Sequence, residues 1–497
     1  MRSKFFFVAL VAIVWSTCTQ SEQHTLTILH TNDMHSAFVP HDAFWMRESP
    51  KPLVGGFSEL SFTIDSIRGA TRNVLLLDAG DVMTGNPIAD LEYGGAQGGA
   101  LFAMMNIIGY DAWCVGNHDF DISQENLRRL TAMARFPVLS ANIVNDEGKH
   151  PVNNKPFTIV EKHGLRIGII GVMSQDLYHL VNQNSLVGIK VLDPVATTQR
   201  WIDELKPKTD LLIALTHEGV DEDSLLASSV TGLNIIVGGH SHTRLKQPKV
   251  VNSVIIVQAG SDCENLGVLE VSVENRQVSR YDGKLIQLWY RKDRPPTRLS
   301  TFIDSVQHVI DEEYDKVIAT LKTDWKRSEG ETGIGNFVVD AQREAAHADV
   351  AFMNNSGIRA NVTAGPLTKK ELFTVMPFRN ILTTFQLSGS QLRSALIHSL
   401  KRGGSLSFSG LTCRWKRNAA REPEIVAIDI NGKPLDEERM YICAASDYFV
   451  GEAKRYIGAE ILQPTYLQQT VFTALEAAAR KAGEIDSKVE NRIQEIQ

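Results

Sequence analysis

The 497-residue sequence predicts an α/β protein of two domains joined by a helix. Three observations point that way. Between residue 25 and about residue 288, short apolar runs alternate with segments whose apolar residues recur at helical spacing, the succession expected of layered sheets with outer helices. At Pro295-Pro296 that pattern breaks, and Leu299, Phe302, Ile303, Val306, Val309 and Ile310 follow at helical spacing in a charged background. A second, shorter α/β alternation comes after it. The length is enough for two separate cores.

The elements can be taken in order. Arg2 and Lys4 precede an unbroken apolar run, residues 5–15, too short to span a bilayer and suited to the core of a signal peptide. Cys18 follows, then a polar stretch, the arrangement of a bacterial lipoprotein acylation site. Residues 1–23 are therefore expected to direct export to the periplasm or cell surface, with Cys18 carrying lipid and no other membrane attachment, the alternative being simple secretion after cleavage nearby. The first domain is expected over 24–292. Its strands are 25–29, 74–77, 111–115, 166–172, 210–215 and 234–237, and its helices 57–67, 98–108 and 124–133. A linker covers 293–319, with an amphipathic helix at 298–317. The second domain, 320–497, has helices at 335–346 and 390–400 and a strand at 350–353. A β-rich stretch lies between the turns Gly403-Gly404 and Asn431-Gly432, and a surface helix at 468–481.

Composition narrows the function. The formal charge is −7 and no long basic block occurs, which argues against a nucleic-acid polymer as partner. A small anionic substrate would need a locally positive site such as bound metal ions. The five cysteines form no Cys-x-x-Cys pair, so a thiolate zinc site is not expected. Cys114 and Cys443 read as core residues, and a Cys413–Cys443 disulfide is left open by the sequence.

Five polar clusters each follow an apolar strand-like run: Asp33-Met34-His35, Asp78-Ala79-Gly80-Asp81, Gly116-Asn117-His118-Asp119-Phe120-Asp121, Thr216-His217-Glu218 and Gly238-Gly239-His240-Ser241-His242. In an α/β sheet several such edges converge on one cleft. Taken singly each has an ordinary reading. A lone Asp-x-His is usually a turn, His217 alone would be a buried core histidine, and Asp78 a loop cap. Five in series suit a different purpose. Phosphoester hydrolysis needs an activated water and a neutraliser of phosphoryl charge, and two cations about 3.5–4 Å apart supply both. Extended backbone in Asp-x-His and His-x-His would put alternate side chains on one face. Mixed imidazole, carboxylate and amide ligands suit zinc, manganese, iron or cobalt better than calcium.

These clusters together resemble the signature of the calcineurin-like metallophosphoesterases. Met353-Asn354-Asn355-Ser356-Gly357-Ile358-Arg359, Met376-Pro377-Phe378 and the helix beginning Gly335-Asn336 resemble the C-terminal domain of bacterial 5′-nucleotidases. The resemblance implies an α/β/β/α first domain and a smaller α/β second domain that binds substrate. It implies one divalent ion on Asp33, His35, Asp81 and His242, and another on Asp81, Asn117, His217 and His240, with Asp81 shared. It gives His118 the role of stabilising the transition state and Asp121 that of orienting it. It places a nucleotide base between Phe378 and a second ring, which spacing puts at Tyr456, with Asn354 and Arg359 on nucleoside and phosphate. The expected activity is hydrolysis of nucleoside 5′-monophosphates. Alternatives within the family are a UDP-sugar hydrolase, a 2′,3′-cyclic-nucleotide phosphodiesterase and a sulfur-oxidation hydrolase. Outside it stands a surface nucleotide-binding protein whose metal site is structural. The family's Gly-Gly-Asp-Gly loop is replaced here by Glu452-Ala453-Lys454-Arg455, which leaves nucleoside preference open and offers two cations for an additional phosphate.

Overall fold

The computed structural model describes residues 24–496 except 44, 49, 182 and 379, and leaves the side chains of 179 and 183 undescribed. The leader and Cys18 lie outside the described residues. The first half is built on two six-stranded sheets. One runs, in spatial order, Gln277–Gln287, Asn265–Glu274, His24–Thr31, Val74–Asp78, Ala112–Cys114, Val138–Leu139. The other runs Phe157–Lys162, Leu165–Met173, Leu211–His217, Ile235–Val237, Val254–Val257, Lys249–Val251.

The apolar runs of these strands are continuous because both faces are covered. Along His24–Thr31, Leu26 and Ile28 face the other sheet, while Leu29 faces outward to a helical layer. Leu75 and Leu77 likewise join Ile167, Ile169, Ile213 and Leu215 between the sheets, and Leu76 packs outward with Phe57, Leu60, Leu101 and Phe102. On the far side Ile170, Leu212 and Ala214 meet Ile202, Leu205 and Leu226 of the helices Pro194–Leu205 and Val220–Ser229. The result is the α/β/β/α layering that the resemblance implied.

Within each sheet the central strands are parallel: His24–Thr31 with Val74–Asp78 and on to Ala112–Cys114, and Leu165–Met173 with Leu211–His217 and Ile235–Val237. Parallel pairing brings their carboxyl ends to a common edge. All five polar clusters are carried there.

The helix Arg298–Tyr314 begins with a reciprocal capping box between Thr297 and Ser300. Leu299, Ile303, Val306 and Ile310 bury in the first half's core, while Lys369 reaches Glu313 at 3.0 Å and Lys370 reaches Asp311 at 2.8 Å from the second half. The helix stops short of the expected 317, because Val317–Leu321 is a strand between Gly365–Thr368 and Glu484–Ile485. The second half centres on a five-stranded sheet in the order Leu406–Ser409, Val350–Asn354, Met440–Ser446, Ile381–Ser388, Thr465–Thr470. The expected helix at 468–481 divides into the strand Thr465–Thr470 and the helix Val471–Ala482, with Thr470 as cap. The Asn431-Gly432 turn is as read: both residues have positive φ, at 49° and 75°, and join Ile430 to Lys433. Cys413 and Cys443 are buried free thiols, so the disulfide left open by the sequence is not formed.

Phe352, fully buried, packs against Phe385, Phe408 and Phe449 with ring centroids 5.6–6.0 Å away. Phe352→Ala is expected to destabilise the second half by about 3–5 kcal/mol, read as a lower denaturant midpoint.

Candidate metal centre and substrate cleft

The loop after His24–Thr31 carries Asp33 and His35, that after Val74–Asp78 carries Asp81, and that after Ala112–Cys114 carries Asn117 and His118. The strand Leu211–His217 ends on His217, and the loop after Ile235–Val237 holds His240 and His242. The alternation expected of extended backbone is not what aligns these side chains. Asp33, His35, Asp81, His240 and His242 all have positive φ, between 45° and 75°. Each sits in a left-handed turn, a conformation that costs a non-glycine residue of order 1–3 kcal/mol and that surrounding structure must enforce. Two glycines make the approach feasible. A Cβ on Gly116 would collide with the amide and carboxylate of Asp81, and one on Gly80, at φ 94°, would lie 2.8 Å from His217 Nδ1.

The side chains form two adjoining groups: Asp33, His35 and His242, and Asp81, His217 and His240, each with ligand atoms within 4.8 Å of one another. His35 Nε2 lies 3.0 Å from His242 Nε2, which is 3.6 Å from Asp33 Oδ1. His217 Nε2 lies 3.1 Å from Asp81 Oδ2, and Asn117 Oδ1 is 3.1 Å from that nitrogen and 3.0 Å from His240 Nδ1. His217 and Asp33 approach to 4.0 Å and connect the groups.

The donor chemistry fits a cation. His217 Nδ1 faces the Ala79 carbonyl at 2.7 Å, and His35 Nδ1 the Thr84 carbonyl at 3.1 Å. A carbonyl only accepts, so those nitrogens carry the hydrogens and both Nε2 lone pairs point inward. There they meet other acceptors: a carboxylate, an amide oxygen and a second imidazole nitrogen. Converging lone pairs require a proton or a metal ion between them. In a cation's absence a proton serves. Burial opposes charge on His217, but Asp81 and Asp33 outweigh it and push its pKa up to about 10. Burial raises Asp33. It also opposes ionisation of Asp81, yet His217 and His118 hold that carboxyl well below its usual range.

His118 belongs to neither ligand group but stands beside them, its ring centre 5.3 Å from that of His35. Its Nδ1 is 2.8 Å from Asp121 Oδ2, which also accepts the Thr84 hydroxyl at 2.7 Å, and its backbone N–H donates to Asp81 Oδ1 at 2.8 Å. Burial disfavours the imidazolium, while Asp121 and Asp81 favour it and raise the pKa to about 10.

Sequence reasoning gave Asp119 no role. Its carboxylate accepts the backbone N–H groups of Asp81, Val82, Met83 and Gly116 at 2.7–3.2 Å. It clasps the loop that presents Asp81 to the loop that presents Asn117. The signal was its place inside the Gly116–Asp121 cluster. Asp78 is the expected loop cap, accepting from Thr31 Oγ1 and Gly80 N.

A cavity of about 1010 Å³ opens between the two halves. His118 and Asp121 line it from the first half, and Asn354, Arg359, Phe378 and Tyr448 from the second. The Arg359 guanidinium lies 5.7 Å from the Phe378 ring centre. Tyr456, the second ring expected from spacing, is not among the cavity's lining residues. It stacks on Phe449 at 5.3 Å and 8° against the second half's core. Tyr448, at the start of the helix Asp447–Gly451, faces the cavity instead. Lys454 and Arg455 also line the cavity.

A two-sheet α/β sandwich with paired nitrogen and oxygen ligand groups at its carboxyl edge defines a metallophosphoesterase. Residues 26–244 match the calcineurin-like phosphoesterase family and residues 317–458 the 5′-nucleotidase C-terminal domain. The chain is 30% identical to a 5′-nucleotidase of Homo sapiens, covering 80% of this chain and 75% of that protein. It is 27% identical to protein UshA of Yersinia enterocolitica, covering 88% and 86%. A 5′-nucleotidase precursor from Thermus thermophilus superposes with a TM-score of 0.75 at 26% identity, covering 95% of this chain and all of that one. This chain therefore belongs to the 5′-nucleotidase family and is a phosphoric ester hydrolase, of a class that uses divalent metal ions. Among the described residues no helix is long and apolar enough to cross a membrane.

Asp119→Ala would leave four buried N–H groups without their acceptor, at about 1–3 kcal/mol each where no water replaces it. The expected outcome is a lower melting temperature and reduced metal content, with Asp119→Asn less affected; calorimetry and metal analysis measure both.

Proposed function

We propose that this protein hydrolyses nucleoside 5′-monophosphates to nucleoside and phosphate. The supporting observation is that one cavity is lined by the His118–Asp121 pair from the first half and by the rings of Phe378 and Tyr448 from the second.

In this reading one cation is held by Asp33, His35, Asp81 and His242 and the other by Asp81, Asn117, His217 and His240, with Asp81 shared. Two such ions supply Lewis-acid neutralisation of the phosphoryl group and lower the pKa of water. Zinc, manganese, iron or cobalt suits the donor set. The remaining steps belong to the chain itself. His118, charged by Asp121 and fixed in orientation by it, hydrogen-bonds a phosphoryl oxygen as negative charge develops there. Thr84 anchors Asp121 and so the ring. Arg359 meets the substrate's phosphate or sugar edge, and Asn354 its polar groups. Phe378 and Tyr448 hold the base by stacking, worth roughly 1–3 kcal/mol per base and tolerant of base identity. Export through residues 1–23, with acylation at Cys18, completes the reading; the mass of the mature N-terminus tests it.

Phosphate release from metal-loaded protein, given 5′-, 3′- and cyclic nucleotides and a UDP-sugar, tests the activity. Preferred release from 5′-monophosphates supports it. No release from any phosphoester, with both ions bound, would leave a binding protein with a structural metal site. His118→Asn is expected to lower kcat by roughly 10²–10³-fold while metal content holds. Chelation should lower the melting temperature and readdition restore it, since a ligand at 100 times its Kd stabilises by about 2.7 kcal/mol.

A further inference from the structure

Two of the rings that line the cleft, Phe378 and Tyr448, sit on segments that the backbone ladder does not hold together. Strand Met440–Ser446 pairs antiparallel with Ile381–Ser388, and that ladder ends at Leu382 opposite Ser446. Beyond this pair the chains part. One leads back from Ile381 to Phe378, the other forward through Asp447 into the short helix bearing Tyr448. At this fork a carboxyl side chain replaces the ladder. Asp447 is largely buried, lines the cavity, and accepts the Tyr448 N–H at 2.8 Å together with the N–H of Ile381.

The geometry points to Asp447 as the positioning residue that fixes the spacing of Phe378 and Tyr448, and so sets how strongly the enzyme selects substrates carrying a flat base. The inference rests on the nucleotidase reading above. One side chain ties the amide of Ile381, which opens the strand following the Phe378 segment, to the amide of Tyr448 in the first turn of its helix. Stacking between two rings depends on their separation: a base slides between faces held at the right distance and gains little from faces that drift. Asp447 need not touch the base to control this. Its effect should fall chiefly on the part of binding that the base supplies, because its hydrogen bonds go to the two ring-bearing segments, while Asp121 of the other half lies within electrostatic reach of its carboxylate. Burial pushes the Asp447 carboxyl up to about 7, so an uncharged side chain of the same shape is tolerable there.

The test compares kcat/KM for a nucleoside 5′-monophosphate with that for ribose 5-phosphate, the same ester without its base, in metal-loaded wild type, Asp447→Ala and Asp447→Asn. In Asp447→Ala the ratio of the two values should fall about tenfold, the size of a lost stacking contact, with the loss carried mainly by KM for the nucleotide. Asp447→Asn keeps one acceptor oxygen and should recover part of that ratio. An unchanged ratio in Asp447→Ala, an equal loss for both substrates, or no recovery in Asp447→Asn overturns the inference. If Asp447→Ala does not fold, Asp447→Ser decides by the same ratio. A wild type that already treats the two substrates alike would instead overturn the nucleotidase reading itself, so the two failures are distinct.

Discussion

Two carboxylates, Asp33 and Asp81, are fully buried at one edge of the sandwich, and the rest of the site answers that fact. A buried carboxylate is stable only when opposite charge or hydrogen-bond donors surround it. Asp33 receives the amide of Asn32 and the backbone N–H of His240. Asp81 receives the backbone N–H of His118 and faces His217. Without a cation a proton on His217 balances the two carboxylates, its pKa raised to about 10 by Asp81 and Asp33; with a cation bound, the inward Nε2 lone pairs of His35 and His217 are free to face it. The left-handed turns at five of the seven candidate ligands impose a further cost, borne by a core in which both faces of every central strand are packed.

Much of this could be read from the chain alone, because one constraint leaves a plain trace. A strand buried on both faces must be an unbroken apolar run, so a polar cluster directly after it marks a sheet edge. The five polar clusters were found that way, while the choice of seven candidate ligands within them and the pairing of His118 with Asp121 came from the family resemblance. What escaped detection depended on backbone geometry that composition does not encode. Asp-x-His was taken for extended chain, yet left-handed turns align it. Asp119 looked like one more acid in a dense cluster, and its four amide partners come from loops far apart in sequence. Tyr456 was chosen by spacing across a stretch treated as one loop. The chain folds there into two short helices, Asp447–Gly451 and Ala453–Ile457. The first presents Tyr448 to the cleft, and the second turns Tyr456 onto Phe449.

The two halves divide the chemistry. Charge is gathered on the rigid sheet edge of the first half, where strand ends fix each group to a packed core. In the proposed function, recognition falls to the second half, where Asn354 at a strand end and Arg359, Phe378 and Tyr448 on loops and a short helix line the cleft. Metal ligands need tight geometry, and parallel strands provide it. A flat base needs only two faces at a suitable distance, which loop segments can provide when a side chain ties them.

The helix Arg298–Tyr314 sits unequally between these halves, and the inequality locates the weaker joint. Towards the first half it buries four apolar side chains, each worth roughly 1.5–3 kcal/mol. Towards the second it offers Glu313 and Asp311 to Lys369 and Lys370, pairs with partly exposed side chains, the class that contributes about 0–1 kcal/mol, together with one ring contact, Tyr314 on Phe373 at 5.8 Å. The helix is thus energetically part of the first half. Any change in how the halves meet would pivot beyond Tyr314, where ion pairs can break and re-form cheaply, and not at Pro295-Pro296, where the sequence changes most abruptly. The cleft lies across that same junction, and its two walls belong to halves with separate hydrophobic cores.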